Sequence, residues 1–199
     1  MVTSTGTDIY ATVSAAMGSL KGPKHGGANA GVFKMMEAIK KAIPNREPYQ
    51  IKSYLEHILD GDGFDKKGLI YGMGHAVYTE SDPRAEILRL KAKELAKLKG
   101  LEREYELYYQ VEIITKVIFQ ERKGIVICAN LDFYSSLVYH LLEIPLELWT
   151  PLFAISRTSG WCAHRIEHLI SDDKIIRPAY QYVEENHTYV PLNERNSTL

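Results

Sequence analysis

An almost wholly α-helical fold is predicted by three features of this 199-residue sequence. Apolar residues recur at three- and four-residue spacing in one segment after another. Those segments open on capping residues or proline and close on glycine or proline. A single short β-branched run, Ile125, Val126 and Ile127, reads as a strand.

Asp8 is placed to cap a first helix whose Ile9, Val13 and Ala16 share a face, and Gly22 and Pro23 break it. Gly26 and Gly27 then lead into a helix over 28–43, with Val32, Met35, Met36 and Ile39 on one side and Pro44 as the stop. Residues 48–59 form a shorter helix. Between 61 and 84 the periodicity vanishes and glycine recurs at 61, 63, 68, 72 and 74, a loop that permits close backbone approach. Asp82 followed by Pro83 starts the next helix, and residues 85–99 turn Leu88, Ala92 and Leu95 inward. A helix over 101–122 carries the stripe Leu107, Val111, Ile114 and Ile118. Asn130, Leu131 and Asp132 resemble a cap opening a helix that runs to 142. Pro145 begins the last long helical region, to about 170, with Gly160 a predicted break. From 187 to 199 the periodicity is lost, so an extended tail is expected.

A hydrophobic content of 45% is enough for one good core, or one complete small domain plus part of another. The formal net charge of -1 supplies no field to hold a polyanion, so neither nucleic acid nor an acidic membrane surface is implied as partner. The lysines at 91, 93, 97 and 99 read as a solvated helix face balanced by Glu86 and Glu94, and Tyr105, Tyr108 and Tyr109 as core or interface filler. Cys128 and Cys162 sit in apolar contexts without CxxC spacing and are expected to be buried free thiols in a reducing compartment. No basic-then-apolar leader opens the sequence and no apolar stretch approaches membrane-spanning length. A soluble, cytoplasmic protein is expected.

Three segments place chemically capable side chains at irregular joints between helices: GPKHGGAN at 22–29, GMGHAVY at 72–78 running on to SDPRA at 81–85, and NLDFYS at 130–135. Taken singly they are bland, because a histidine beside glycine is a common turn residue and Asp132 reads equally well as a helix cap. HRIEH at 164–168 fits the H-x-x-E-H pattern of zinc peptidases, with both imidazoles on one helical face. It lacks a visible third ligand and is set aside, so no metal site is expected.

Taken together and in this order, the three segments closely resemble the signature of the citrate synthase family. The resemblance runs from about residue 3 to about residue 178 and includes FAISR at 153–157 and IRP at 176–178. It implies an all-α, citrate synthase-like fold with a complete small helical domain at 28–143. Residues 1–27 and 144–199 would belong to a truncated large helical domain. It also implies a homodimer in which the small domain closes over the large one. The upstream part of the family's chain, with a further oxaloacetate-binding histidine, is expected to be missing. Apolar faces around Trp149, Phe153 and Trp161 would then be bare and favour dimerisation or aggregation.

The implied reaction condenses acetyl-CoA with oxaloacetate and hydrolyses the resulting thioester to citrate and CoA. A proton must leave the methyl of acetyl-CoA, and an aspartate of reference pKa ~3.9 manages this only where a positioned donor stabilises the enolate in a water-poor site. By resemblance Asp132 is that base and His25, as a neutral imidazole, that donor. His75 would polarise the ketone of oxaloacetate and receive the alkoxide. Planar guanidinium forks suit the two carboxylates, and Arg84 and Arg157 match those positions, with Arg177 reaching across from the other subunit. The CoA contacts would come from backbone groups of Tyr71, Gly72, Met73 and Gly74 and from Lys123. Thr79, followed by Glu80, stands where many family members carry a basic residue, which implies weaker phosphate binding or compensation elsewhere. No permanently bound cofactor is expected, only acetyl-CoA as co-substrate. Two alternatives stay open: a catalytically incomplete fragment that folds and binds CoA, and a 2-methylcitrate synthase using propionyl-CoA, one methyl larger.

Overall fold

The computed structural model describes residues 1–22, 25–171, 174–181, 183 and 188–195. Pro23 and Lys24 of the first motif, and His187 and 196–199 of the expected tail, lie outside them. Among the described residues there are seven α-helices: α1 (Ile9–Leu20), α2 (Ala28–Ala42), α3 (Pro48–Leu59), α4 (Pro83–Lys99), α5 (Glu102–Lys123), α6 (Leu131–Leu141) and α7 (Trp149–Ser171).

The ends of these helices follow local chemistry. The Asp8 carboxylate accepts the Ala11 N–H at the start of α1, and Asp82, with Pro83 behind it, accepts the Arg84 N–H at the start of α4. Asn130, not Asp132, caps α6 by accepting the Asp132 N–H at 3.0 Å. Gly100 and Gly124 close α4 and α5 in the left-handed conformation that costs other residues more. Two expectations fail here. Residues 125–127 form no strand: among the described residues no ladder is completed there, and an isolated bridge joins Met73 to Ala129. Gly160 does not break α7, which runs unbroken through 23 residues; one glycine costs a helix only ~1 kcal/mol.

The core is drawn from α2 to α6. Val32, Met35, Met36 and Ile39 of α2 meet Ile51, Leu55 and Ile58 of α3, Val111 and Ile118 of α5, and Phe133 and Leu137 of α6, all of them fully buried. Helix α6 sits between α2 and α4, while α3 lies on α5 and α1 pairs with α7. Each such side chain contributes ~1.5–3 kcal/mol through removal from water. Tyr105 and Tyr108 are buried, and Tyr109 stacks on Tyr105 at the rim. Lys91 pairs with Glu94 and Lys99 with Glu143, whereas Glu86 turns to Arg89. Cys128 is buried but Cys162 only partly, and both are free thiols.

The α1–α7 pair is fastened to this core chiefly at Trp149. Its indole packs against Phe33 and Tyr139, donates to the Ile144 carbonyl at 2.9 Å, and is 2% exposed. The bare apolar surface expected around Trp149 therefore lies further along α7, at Ile155, Ile166, Leu169 and Ile170, while Phe153 and Trp161 are half-buried.

Glu104 clamps the end of α2 to the start of α5 by accepting from Lys40 Nζ at 2.7 Å and Arg46 Nη2 at 2.9 Å. Burial alone would raise the Glu104 pKa, but the two cations outweigh it and hold the carboxyl below its ordinary value. A depressed acid stabilises the fold above its unfolded pKa, and that contribution is lost as pH falls through the folded value. Glu104→Gln should thus cost about 1–2 kcal/mol at neutral pH. Urea melts of the two proteins should converge as pH drops well below ~4.

Candidate active site

The site begins with a turn that has no room for a side chain. After α1, the Gly26 N–H donates to the Leu20 carbonyl at 2.9 Å, and a Cβ at Gly26 would stand 2.4 Å from that oxygen. Thr150 at the head of α7 donates its hydroxyl to the Gly26 carbonyl at 2.7 Å. His25 is thereby held at the seam between α1 and α7, with its ring edge-on to Phe153 at 6.1 Å. The Arg157 guanidinium lies over the same Phe153 ring at 5.1 Å. His25, Phe153 and Arg157 line one small cleft of about 190 Å³.

The second motif is stitched to the third. The Gly74 N–H donates to the Cys128 carbonyl at 2.8 Å, the Asn130 N–H to the Gly72 carbonyl at 2.9 Å, and Asn130 Nδ2 to the Gly74 carbonyl at 2.9 Å. Gly72 has φ +78°, and a Cβ there would stand 2.9 Å from the Phe133 Cα. Only glycine lets this loop lie flat on the first turn of α6. The loop that carries His75 is thus anchored to the start of α6, the helix that carries Asp132.

His75 is fixed by its own backbone. Its Nδ1 accepts from the Val77 N–H at 3.0 Å and the Tyr78 N–H at 3.3 Å. In the neutral ring the proton must therefore sit on Nε2. That nitrogen lies 3.3 Å from Arg84 Nη2, which can only donate. Two donors side by side have no use for each other; Arg84 Nη2 spends one N–H on Asp82 Oδ2 at 2.8 Å, which leaves its second N–H and His75 Nε2 to serve an acceptor outside.

Asp132, on the first turn of α6, is half-buried and within electrostatic reach of the other two motifs. Burial pushes its carboxyl above the usual aspartate range, and the Arg84 guanidinium and, when protonated, the His25 and His75 rings act on it in the opposite sense without overcoming that push. A desolvated carboxylate is a stronger base than one in water. The three motifs, well apart in the chain, meet here in one electrostatic neighbourhood.

The other expected positions are less gathered. Arg177 is exposed in the segment after α7. Lys123, at the end of α5, lies over the Phe119 ring and shares a cleft with Gly68 and Arg122. Tyr71 donates its hydroxyl to Asp65 at 2.5 Å. Met73 makes the bridge to Ala129, so the carbonyls of Gly72 and Gly74 and the N–H of Gly74 already have partners within the chain. Around His164 and His168 no metal-holding group of three or more His, Cys, Asp or Glu assembles among the described residues; His164 instead faces Glu167 at 3.5 Å. Sequence reasoning overlooked Asn130 as the stitch between loop and helix, Tyr78, whose ring packs on both His75 and Arg84, and Asp82, which binds the Arg84 guanidinium.

A half-buried carboxylate within electrostatic reach of two histidines and a guanidinium, on a scaffold of packed helices, marks a candidate site of the acid–base kind. The family model described as "Citrate synthase, C-terminal domain" matches residues 1–179. The chain belongs to the citrate synthase family. It is 42% identical over 190 residues to "Citrate synthase 2" of Bacillus subtilis, covering 95% of this chain and 46% of that one. It is 36% identical over 180 residues to "2-methylcitrate synthase" of Shewanella oneidensis, covering 90% and 43%. Among solved structures, the Thermoplasma acidophilum citrate synthase in ternary complex with carboxymethyl coenzyme A and oxaloacetate superposes with a TM-score of 0.76 at 34% identity, covering 96% of this chain and 48% of that chain. The chain spans about half the length of the curated relatives it matches. Among the described residues no helix is long and apolar enough to cross a membrane.

Proposed function

We propose that this chain carries the condensing chemistry of a citrate synthase, joining acetyl-CoA to oxaloacetate. The observation that carries the reading is the half-buried Asp132 carboxylate with its raised pKa, within electrostatic reach of His25, His75 and Arg84. Asp132 takes a proton from the methyl of acetyl-CoA, and burial favours that uptake by making the carboxylate more basic. His25, in its turn across the cleft, donates to the developing enolate oxygen. The paired donors His75 Nε2 and Arg84 Nη2 receive the ketone oxygen and a neighbouring carboxylate of oxaloacetate. Arg157, in the His25 cleft, takes the other carboxylate, and Arg177 serves a second subunit's site. Thioester hydrolysis then releases citrate and CoA.

In this reading residues 28–143 are the small domain, supported by a core that runs from Val32 to Leu141. Residues 1–27 and 144–199 belong to the large one. The working unit is a cytoplasmic homodimer, supported by the bare apolar stretch of α7. CoA binds along residues 71–74 with Lys123 at its phosphates, as co-substrate and not as a permanent cofactor.

The half-length span supports a second reading, in which these residues fold and bind CoA without turnover. The 2-methylcitrate synthases among the relatives support a third, with propionyl-CoA as the acyl donor. One assay separates them: thiol release by the purified chain from acetyl-CoA and from propionyl-CoA, each with and without oxaloacetate. Oxaloacetate-dependent release favouring acetyl-CoA is the expected result. A preference for propionyl-CoA selects the third reading, and CoA binding without release selects the second.

A further inference from the structure

The Arg84 guanidinium is gripped from behind. Asp82 Oδ1 accepts from Arg84 Nε at 2.9 Å and Oδ2 accepts from Nη2 at 2.8 Å, a two-point ion pair two residues apart in sequence. The Asp82 side chain is fully shielded from solvent, while that of Arg84 is 41% exposed. One edge of the fork is therefore locked inside the protein and the other faces out. The Tyr78 ring lies 5.3 Å beneath the guanidinium and 4.9 Å from the His75 ring, so the same aromatic face spaces the two donors. Side-chain hydrogen bonding from Arg84 holds the Asp82 carboxyl below its ordinary range, so the carboxylate stays charged where the pair must work.

We infer that Asp82 is a positioning residue for Arg84, setting the direction in which its outer N–H groups meet a substrate carboxylate beside His75. The substrate side of this inference rests on the proposed function. Two forces compete for a free guanidinium here. The half-buried Asp132 carboxylate attracts it as well, since the charges of Arg84 and Asp132 act on each other. An arginine pulled onto Asp132 would neutralise the base and abandon its place beside His75. Closing the inner edge on Asp82 prevents this. Capping alone does not explain the geometry, because a cap uses one oxygen on a backbone N–H, and here Oδ2 is turned to the side chain.

Asp82→Asn keeps a competent cap, and Asp82→Ser keeps the cap while being too short to span the guanidinium. Calorimetric titration of oxaloacetate into wild type, both variants, Arg84→Gln, and the Asp82→Asn/Arg84→Gln double variant tests the idea. Expected are binding about tenfold weaker in both Asp82 variants with little change in melting temperature, and no further weakening by Asp82→Asn once Arg84 is gone. Wild-type affinity in a folded Asp82 variant, or losses that simply add in the double variant, overturns it. A second readout needs no substrate: the Arg84 Nε–H should be protected from exchange in ¹⁵N spectra of wild type and unprotected in Asp82→Ser, whose hydroxyl is too short to reach it. An unprotected wild-type signal also overturns the inference. Protection in a wild type that fails to bind oxaloacetate would leave the clamp standing and sink the proposed function instead.

Discussion

Asp132→Asn should lower oxaloacetate-dependent thiol release by ~10³-fold or more, the scale of a lost general base, while raising the melting temperature. The two effects share one cause. Burial lifts the Asp132 pKa, so its ionised form is disfavoured in the folded chain. A carboxyl with a raised folded pKa destabilises the fold at pH above both its values, and the penalty is relieved as pH falls through the folded one. An amide carries no charge to desolvate. The stabilisation by asparagine should therefore be largest near neutrality and fade in acid, as followed by thermal melts across pH. A variant that lost activity and also lost stability at pH 7 would mean that Asp132 is a structural anchor and not a strained base.

Trp149→Ala should cost ~3–5 kcal/mol, the largest stability loss anticipated for a single side chain here. The indole fills the joint between α2, α6 and α7, and its removal also strands the Ile144 carbonyl that it satisfies. Trp149→Phe keeps much of the packing and loses only the donor, so it should fall well short of that loss. Urea unfolding followed by circular dichroism measures both. A loss below ~1 kcal/mol for alanine would show that the α1–α7 pair is held to the core by other contacts.

Much of this architecture is legible in the sequence because helices declare themselves locally. The stripes of α2 and α5 and the caps at Asp8, Asp82 and Asn130 need nothing beyond their own neighbours. The errors arise where the outcome depends on distant partners. The run Ile125, Val126 and Ile127 has strand-forming side chains, but a strand exists only if another lies beside it. Trp149 reads as an exposed large-domain residue until α2 and α6 are seen to supply Phe33 and Tyr139. At the site, the glycine-flanked histidines and Asp132 stand out because they fit no apolar stripe. Asp82 stayed hidden because its cap is a sufficient explanation from sequence, and the same oxygen that caps also holds Arg84 Nε.

The stitching of the His75 loop onto the first turn of α6 divides the reactive groups between two bodies. Asp132, His75 and Arg84 share one support, as one side of a jaw. His25 and Arg157, mounted on the α1–α7 seam, form the other. A slight rotation between the two sides would, in the proposed reaction, separate proton acceptor from enolate donor. In the proposed reaction, proton abstraction is thus coupled to jaw closure: an acyl thioester resting on a single side meets only half of the machinery that would activate it.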